Sequence, residues 1–286
     1  MRVGARVGVG AGMGVGEDLV RRILYRDRDV LILDKPAGLP VHAGPRTGVD
    51  LEALLPALRL DGPEVPALAH RLDTDTSGCL VLARHAKALK RLARAFAAHT
   101  IGKTYWAVVT GDPAHEHGVI DLPLIKRNSR TGWWMEVAKP GAAPRNAGIG
   151  MGAGVLAART RYRVLGRAVW KAGERIAWLE LTPETGRTHQ LRVHCRAEGW
   201  PMVGDPFYGA GREGGSGSVS QGAGLHLMSR RIDLPPLRET GLACHAEAPP
   251  PDHMRERLVA CGWRNSREFV RPDLPPLELP PLPDMV

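Results

Sequence analysis

The chain has 286 residues, 43% of them hydrophobic and 24% charged, enough to fill the core of one large domain. Seven lysines and 32 arginines against 30 acidic residues leave a net charge of +9, which suits a phosphate-rich partner, although arginine bias with abundant Gly, Ala and Pro also follows from a GC-rich genome. The four cysteines, Cys79, Cys195, Cys244 and Cys261, form no C-x-x-C pair, so a zinc ribbon or redox dithiol is not expected. They read as reduced thiols of a cytoplasmic protein. No apolar run reaches the roughly 18 residues of a membrane helix.

Residues 1–17 form a Gly/Val-rich leader expected to be disordered. Its glycines at 4, 8, 10, 12, 14 and 16 are all even-numbered, so a G-x-G-x-x-G dinucleotide loop is absent. Order is expected from Asp18. The runs Ile23-Leu24-Tyr25 and Val30-Leu31-Ile32-Leu33 read as strands around the turn Arg26–Asp29. A rigid Pro/Gly loop, Asp34 to His42, follows, and Leu51 to Leu60 reads as a short helix. The run His70-Arg71-Leu72-Asp73-Thr74-Asp75-Thr76-Ser77-Gly78 gathers a histidine, an arginine, carboxylates and hydroxyls just ahead of an apolar strand, Cys79 to Ala83.

Ala86 to His99 has helical spacing, with Leu89, Leu92, Ala93 and Phe96 on one side and Lys87, Lys90, Arg91 and Arg94 largely on the other. That basic face is either solvated or in contact with phosphate. Tyr105 to Val109 and Ile176 to Leu181 read as strands, and Arg187 to Arg196 as a helix closed by Gly199. Residues 139–154 and 209–224 are Gly-rich loops, and residues 271–286 are a Pro-rich extended tail. Short strands and helices alternate without a repeating βαβ unit, which argues for an α+β domain spanning 18–270.

Three runs carry the chemistry: His70 to Gly78; Lys103-Thr104-Tyr105; and Thr185-Gly186-Arg187-Thr188-His189-Gln190-Leu191-Arg192-Val193-His194 followed by Gly204-Asp205-Pro206-Phe207-Tyr208-Gly209. Together with Lys35-Pro36-Ala37-Gly38 and Ala158-Arg159-Thr160-Arg161-Tyr162, they closely resemble the RluA-type RNA pseudouridine synthases from about Ile23 to His226.

The resemblance implies a pseudouridine synthase fold, with a mixed, largely antiparallel sheet, flanking helices and a central RNA-binding cleft. It also implies isomerisation of a uridine in structured RNA, a ribosomal or transfer RNA stem-loop. In that reaction the N1–C1′ bond breaks, the uracil turns and C5 takes the place of N1. Asp73 is then the catalytic carboxylate, Arg192 its ion-pair partner, and Tyr105 the aromatic platform or proton relay. Arg71 compensates for the everted base. His70 is expected to orient the loop or contact phosphate, and Arg187, Thr188, His189 and Gln190 to bind RNA or scaffold the site from a helix N-terminus.

An isomerisation requires no cofactor or metal, and a monomer is the default. An RNA-binding module without catalysis is the alternative from another class. A hydrolase is disfavoured, because there is no G-x-S-x-G elbow and no paired carboxylates flank a cleaved bond.

Overall fold

The computed structural model describes residues 15–43, 48–62, 64–129, 132–139, 154–209, 224–238 and 241–264. Most of the leader, the 140–153 and 210–223 loops and the Pro-rich tail lie outside them. Helix α1 (Val15–Arg21) begins three residues inside the segment expected to be a disordered leader. Leu19 explains the difference, since it is buried among leucines of the core and so gives this short helix an anchor.

Strands β1 (Ile23–Arg26) and β2 (Val30–Lys35) form an antiparallel pair around the expected turn. The expected helix at Leu51 is only α2 (Leu51–Leu54), which tightens into a 3-10 turn over Leu55–Leu58. Pro56 has no N–H to extend the α-helical ladder. Strands β3 (Ala67–Leu68) and β4 (Ser77–Ala83) flank the His70–Gly78 run, which is irregular up to Thr76. Helix α3 (Ala86–Ala97) turns Leu89, Leu92 and Phe96 inward as expected, but Ala93 is exposed and Ala88 is buried in its place; the helix is capped by the His85 ring, which accepts from the Ala88 N–H.

Beyond it come β5 (Gly102–Thr110), β6 (His117–Asp121) and a separate hairpin of β7 (Leu124–Ser129) and β8 (Gly132–Val137). Strands β9 (Arg159–Val169) and β10 (Arg175–Pro183) lead to α4 (Gln190–Ala197). The last described elements are β11 (Leu227–Leu234), β12 (Cys244–Glu247) and α5 (Asp252–Ala260).

Ten strands form one sheet in the order β1-β2-β4-β11-β5-β10-β9-β6, with β12 paired to β11 and β3 to β4. Every pairing is antiparallel except β4 with β11. This mixed sheet with flanking helices is the α+β fold expected. At the parallel seam Gly78 faces Ser229, with φ +99, and a side chain on Gly78 would collide with the Ser229 carbonyl. The glycine that ends the motif is therefore required by strand packing.

Both faces of the central strands are buried, because alternate residues point opposite ways. Val30, Ile32, Cys79 and Val81 pack with Leu92 of α3 and with Met254 and Leu258 of α5. Leu31, Leu33, Leu80 and Leu82 pack with Leu51, Leu55 and Leu58. On β10, Ala177, Leu179 and Leu181 pack with Leu191 and Cys195 of α4. Tyr105 touches both of these last two clusters and so stands between the two lobes. Among the described residues no helix is long and apolar enough to cross a membrane.

Candidate active site

A cleft of about 450 Å³ opens where the lobes meet, lined by Arg71, Asp73, Lys103, Tyr105, Arg187, His189 and Arg192 among others. Its size is that of a small-ligand site. Leu72 sets the aim of its neighbours. Buried among the leucines of the α2 lobe, it leaves Arg71 exposed and Asp73 half-buried, both lining the cleft.

Two contacts hold the turn that carries Asp73. Its carbonyl accepts from the Thr76 N–H at 3.1 Å, and the Thr74 carbonyl accepts from the Gly38 N–H at 2.9 Å. Lys35 completes the clamp. Fully buried, it donates from Nζ to the carbonyls of Pro36, Leu39 and Thr74, each at 2.9 Å. Burial pulls its pKa down to about 7, against the opposing pull of Asp75, Asp73 and Asp34. The Lys35-Pro36-Ala37-Gly38 loop thus serves the Asp73 turn, a role that sequence reading did not assign to it.

Asp73 and Arg192, 119 residues apart in the chain, meet through Oδ2 and Nη1 at 3.1 Å. Arg192 is itself buried and gripped from the other side by Asp205, which takes Nε and Nη2 at 2.7 Å each. Such a fork fixes the guanidinium plane and not merely its position. Burial would lower the pKa of this arginine, but the Asp205 contact prevails and raises it further, so Arg192 stays charged. Burial likewise opposes ionisation of Asp205, yet Arg192 and the backbone N–H groups of Tyr208 and Phe207 hold its pKa below the usual carboxylate range. Asp205 belongs to the Gly204–Gly209 run, for which the sequence implies no role. The only sequence signal for its grip on Arg192 was its place ahead of Phe207 and Tyr208.

His189 lies closer to the chemistry than an RNA-binding residue would need. Its Nε2 is 3.8 Å from Asp73 Oδ2 and its Nδ1 is 2.9 Å from the Tyr208 hydroxyl. The Tyr208 oxygen already accepts from the Met135 N–H, so its own proton is free to go to Nδ1. That tautomer leaves the ring proton on Nε2, the nitrogen on the Asp73 side, too far at 3.8 Å for a hydrogen bond in this structure. Burial lowers the His189 pKa to about 4, so the ring is neutral at neutral pH. Its backbone is left-handed, with φ 52, an uncommon conformation for a non-glycine residue and one that tends to cluster at functional sites.

That conformation also corrects the helix boundary. Helix α4 starts at Gln190 and not at Arg187, because residues 187–189 form a turn closed by the Arg187 carbonyl and the Gln190 N–H. Arg187 and Thr188 are therefore not at the helix N-terminus as expected. The turn does place Arg187 on the cleft wall, where its Nε donates to the Ala157 carbonyl at 3.0 Å.

Gln190 is a second correction. Its amide is consumed inside the protein, donating to the Arg159 carbonyl and Thr160 Oγ1 and accepting from Thr185 Oγ1 and Arg187 N–H. Being 3% exposed, it scaffolds the turn and offers nothing to RNA. His70 lines the cleft but uses Nε2 to accept the Val81 N–H at 2.9 Å. Burial lowers its pKa to about 4, so it provides no positive charge for a phosphate.

Tyr105 lies between the lobes and lines the same cleft. Burial raises its pKa, the Asp73 charge adds to that, and the nearby Ser229 hydroxyl works weakly against both. The phenol is therefore protonated at neutral pH. Among the described residues no group of three His, Cys, Asp or Glu side chains could hold a metal ion.

Residues 29–197 match the family model described as RNA pseudouridylate synthase. A Zymomonas mobilis protein named as an uncharacterized RNA pseudouridine synthase is 40% identical over 196 residues, which cover 68% of this chain and 81% of that protein. Ribosomal large subunit pseudouridine synthase D of Pseudomonas aeruginosa is 36% identical over 202 residues, 69% of this chain and 56% of that one. The solved structure of human RNA Pseudouridylate Synthase Domain Containing 4 superposes with a TM-score of 0.68 at 26% identity, covering 86% of this chain and 95% of that one. Asp73, Tyr105 and Arg192 all fall inside the matched segment, and by that segment and by its fold the chain belongs to the RluA-type family of RNA pseudouridine synthases.

Proposed function

We propose that the enzyme isomerises a uridine held in a stem-loop of ribosomal or transfer RNA, with Asp73 as its catalytic carboxylate. The observation that carries this reading is the chain of contacts Asp205–Arg192–Asp73, which presents one oriented carboxylate in a cleft able to take a nucleotide. Stacked duplex bases cannot reach such a depth, so the target base is everted into the cleft. Tyr105 supports the uracil face, a contact worth about 1–3 kcal/mol. Arg71, exposed at the rim, takes the space or the contacts that the everted base leaves.

The reaction needs the N1–C1′ bond broken with the base retained. Addition of the carboxylate to C1′, its addition to C6 and elimination from C2′ all require a carboxylate at the sugar–base junction, and the Arg192 contact that orients Asp73 supports that role. Since Tyr105 is protonated in the free enzyme, its aromatic face is its first contribution, and any part in removing the C5 proton needs a base beside it. The working form we propose is a cytoplasmic monomer.

The test is Asp73→Ala on RNA labelled with tritium at uridine C5, combined with mapping of pseudouridine in cellular RNA with and without the gene. Tritium release should vanish while RNA affinity stays within a few-fold of wild type. Persistent release in the variant would remove Asp73 from the mechanism.

A further inference from the structure

Trp133 stands beside the Asp73–Arg192 pair without belonging to it. It lies on β8 opposite Asn128, is 40% exposed, and lays its ring against the His189 imidazole, with centroids 5.1 Å apart and planes 26° apart. The hairpin thereby reaches the site, since His189 also touches Asp73 and Tyr208. An indole so open to water is poorly explained as core packing. Its neighbour Trp134 gives a contrast, because its ring N–H is spent on Glu136 at 3.3 Å.

Two further observations indicate what Trp133 meets. Lys126 rests its Nζ 4.7 Å from the Trp133 ring centroid, and among the described residues it has no carboxylate partner. Arg127 beside it is neutralised by Glu136 at 2.6 Å. The exposed Phe207 lies 5.9 Å from the His189 ring on the same rim. An exposed aromatic ring with a free cation on it is the pairing that accepts a nucleotide, with the base on the ring and the phosphate on the cation. A lysine on an exposed indole is held weakly, so it can swing to a phosphate as a base takes its place.

We propose that Trp133 and Lys126 form a subsite for a nucleotide flanking the target uridine, with the flanking base stacked on Trp133 while Asp73 engages the target. This rests on the RNA reading above and deepens it. His189 is the link between the two positions, as it touches Trp133 on one side and Asp73 on the other. The target and its flanking base are thus held by residues in direct contact, which makes Trp133 a substrate-positioning residue.

The test uses the stem-loop found by pseudouridine mapping, made once intact and once with an abasic nucleotide at each neighbour of the target in turn. On intact RNA, Trp133→Ala should raise KM about tenfold with kcat within threefold, and Trp133→Phe should recover most of the loss. Lys126→Gln should raise KM less and flatten its salt dependence. With one of the two abasic RNAs the wild type should lose what Trp133→Ala loses, and the substitution should then cost nothing more. An unchanged KM for Trp133→Ala on intact RNA would overturn the subsite. So would an equal loss on intact and both abasic RNAs, because the indole would then only be bracing His189. Wild-type turnover on intact RNA separates the two levels: its absence defeats the enzymatic reading together with the subsite, whereas its presence with an unchanged KM defeats the subsite alone.

Discussion

Asp205 shows how much of this site depends on a side chain that need not touch the substrate. It accepts from Arg192 and from two backbone N–H groups, and it keeps a buried guanidinium aimed at Asp73. Asp205→Asn leaves that buried charge with a weaker partner, and breaking such a pair costs on the order of 3–5 kcal/mol. The expected outcome is a lower urea midpoint together with a single-turnover rate reduced about 100-fold, since small misplacement of a catalytic group has effects of that size. Asp205→Glu should recover part of the stability but little of the rate, because the longer side chain shifts the fork. A rate near wild type for Asp205→Asn would show that Arg192 needs no such brace.

At the scale of elements, the positioning is done where regular elements end: by Lys35, the last residue of β2, with the loop after it, and by the turn that leads into Gln190 of α4. The Lys35 Nζ ties the carbonyls of Pro36 and Leu39 to that of Thr74 on the Asp73 turn, which the Gly38 N–H also holds. Lys35→Met keeps the length and removes the donors. Stability should change little, because the burial cost of the ammonium disappears along with its hydrogen bonds. The rate should fall at least tenfold with KM nearly constant, since the catalytic turn loosens while the RNA-contacting rim stays in place. Single-turnover kinetics beside thermal unfolding of the same variant measures both. The turn before α4 acts similarly, with Gln190 tying Thr185, Arg187, Arg159 and Thr160 together so that His189 can take its left-handed backbone.

Over the whole molecule the net charge of +9 is not spread evenly in effect. Much of the arginine on β9 is neutralised locally: Arg159 and Arg161 pair with Glu184, Arg163 with Glu180, and Arg167 with Asp112 and Glu116. Arg71, Lys103 and Arg187 line the cleft, and Lys87, Lys90 and Arg94 face solvent on α3 without a carboxylate partner among the described residues. If three to six of these cations meet phosphates, log K should fall against log salt with a slope of about −2 to −4. Filter binding from low to moderate salt measures the slope. A flat response would return the arginine excess to genome composition.

The sequence by itself determined the family, the places of strands β1, β2, β4, β5 and β10 along the chain and, through the resemblance, the pairing of a carboxylate at 73 with a guanidinium at 192. Those properties reside in long motifs and in local periodicity, which survive without knowledge of the fold. Strand alternation at Val30–Leu33 and helical spacing over Ala86–Phe96 suffice because each element's burial is set by its own repeat. The β7–β8 hairpin, β11 and α5 carried no such repeat that could be read with certainty.

Only the tertiary structure decided what each polar residue in the motifs does. Gln190 and His189 are adjacent in sequence, yet one amide is sealed into a turn and the other ring faces Asp73. Lys35, Asp205 and Trp133 acquired their places only when loops distant in sequence converged. A side chain's chemistry belongs to its residue type, but its partners are fixed by where the fold leaves a donor facing an acceptor, and no local pattern encodes that.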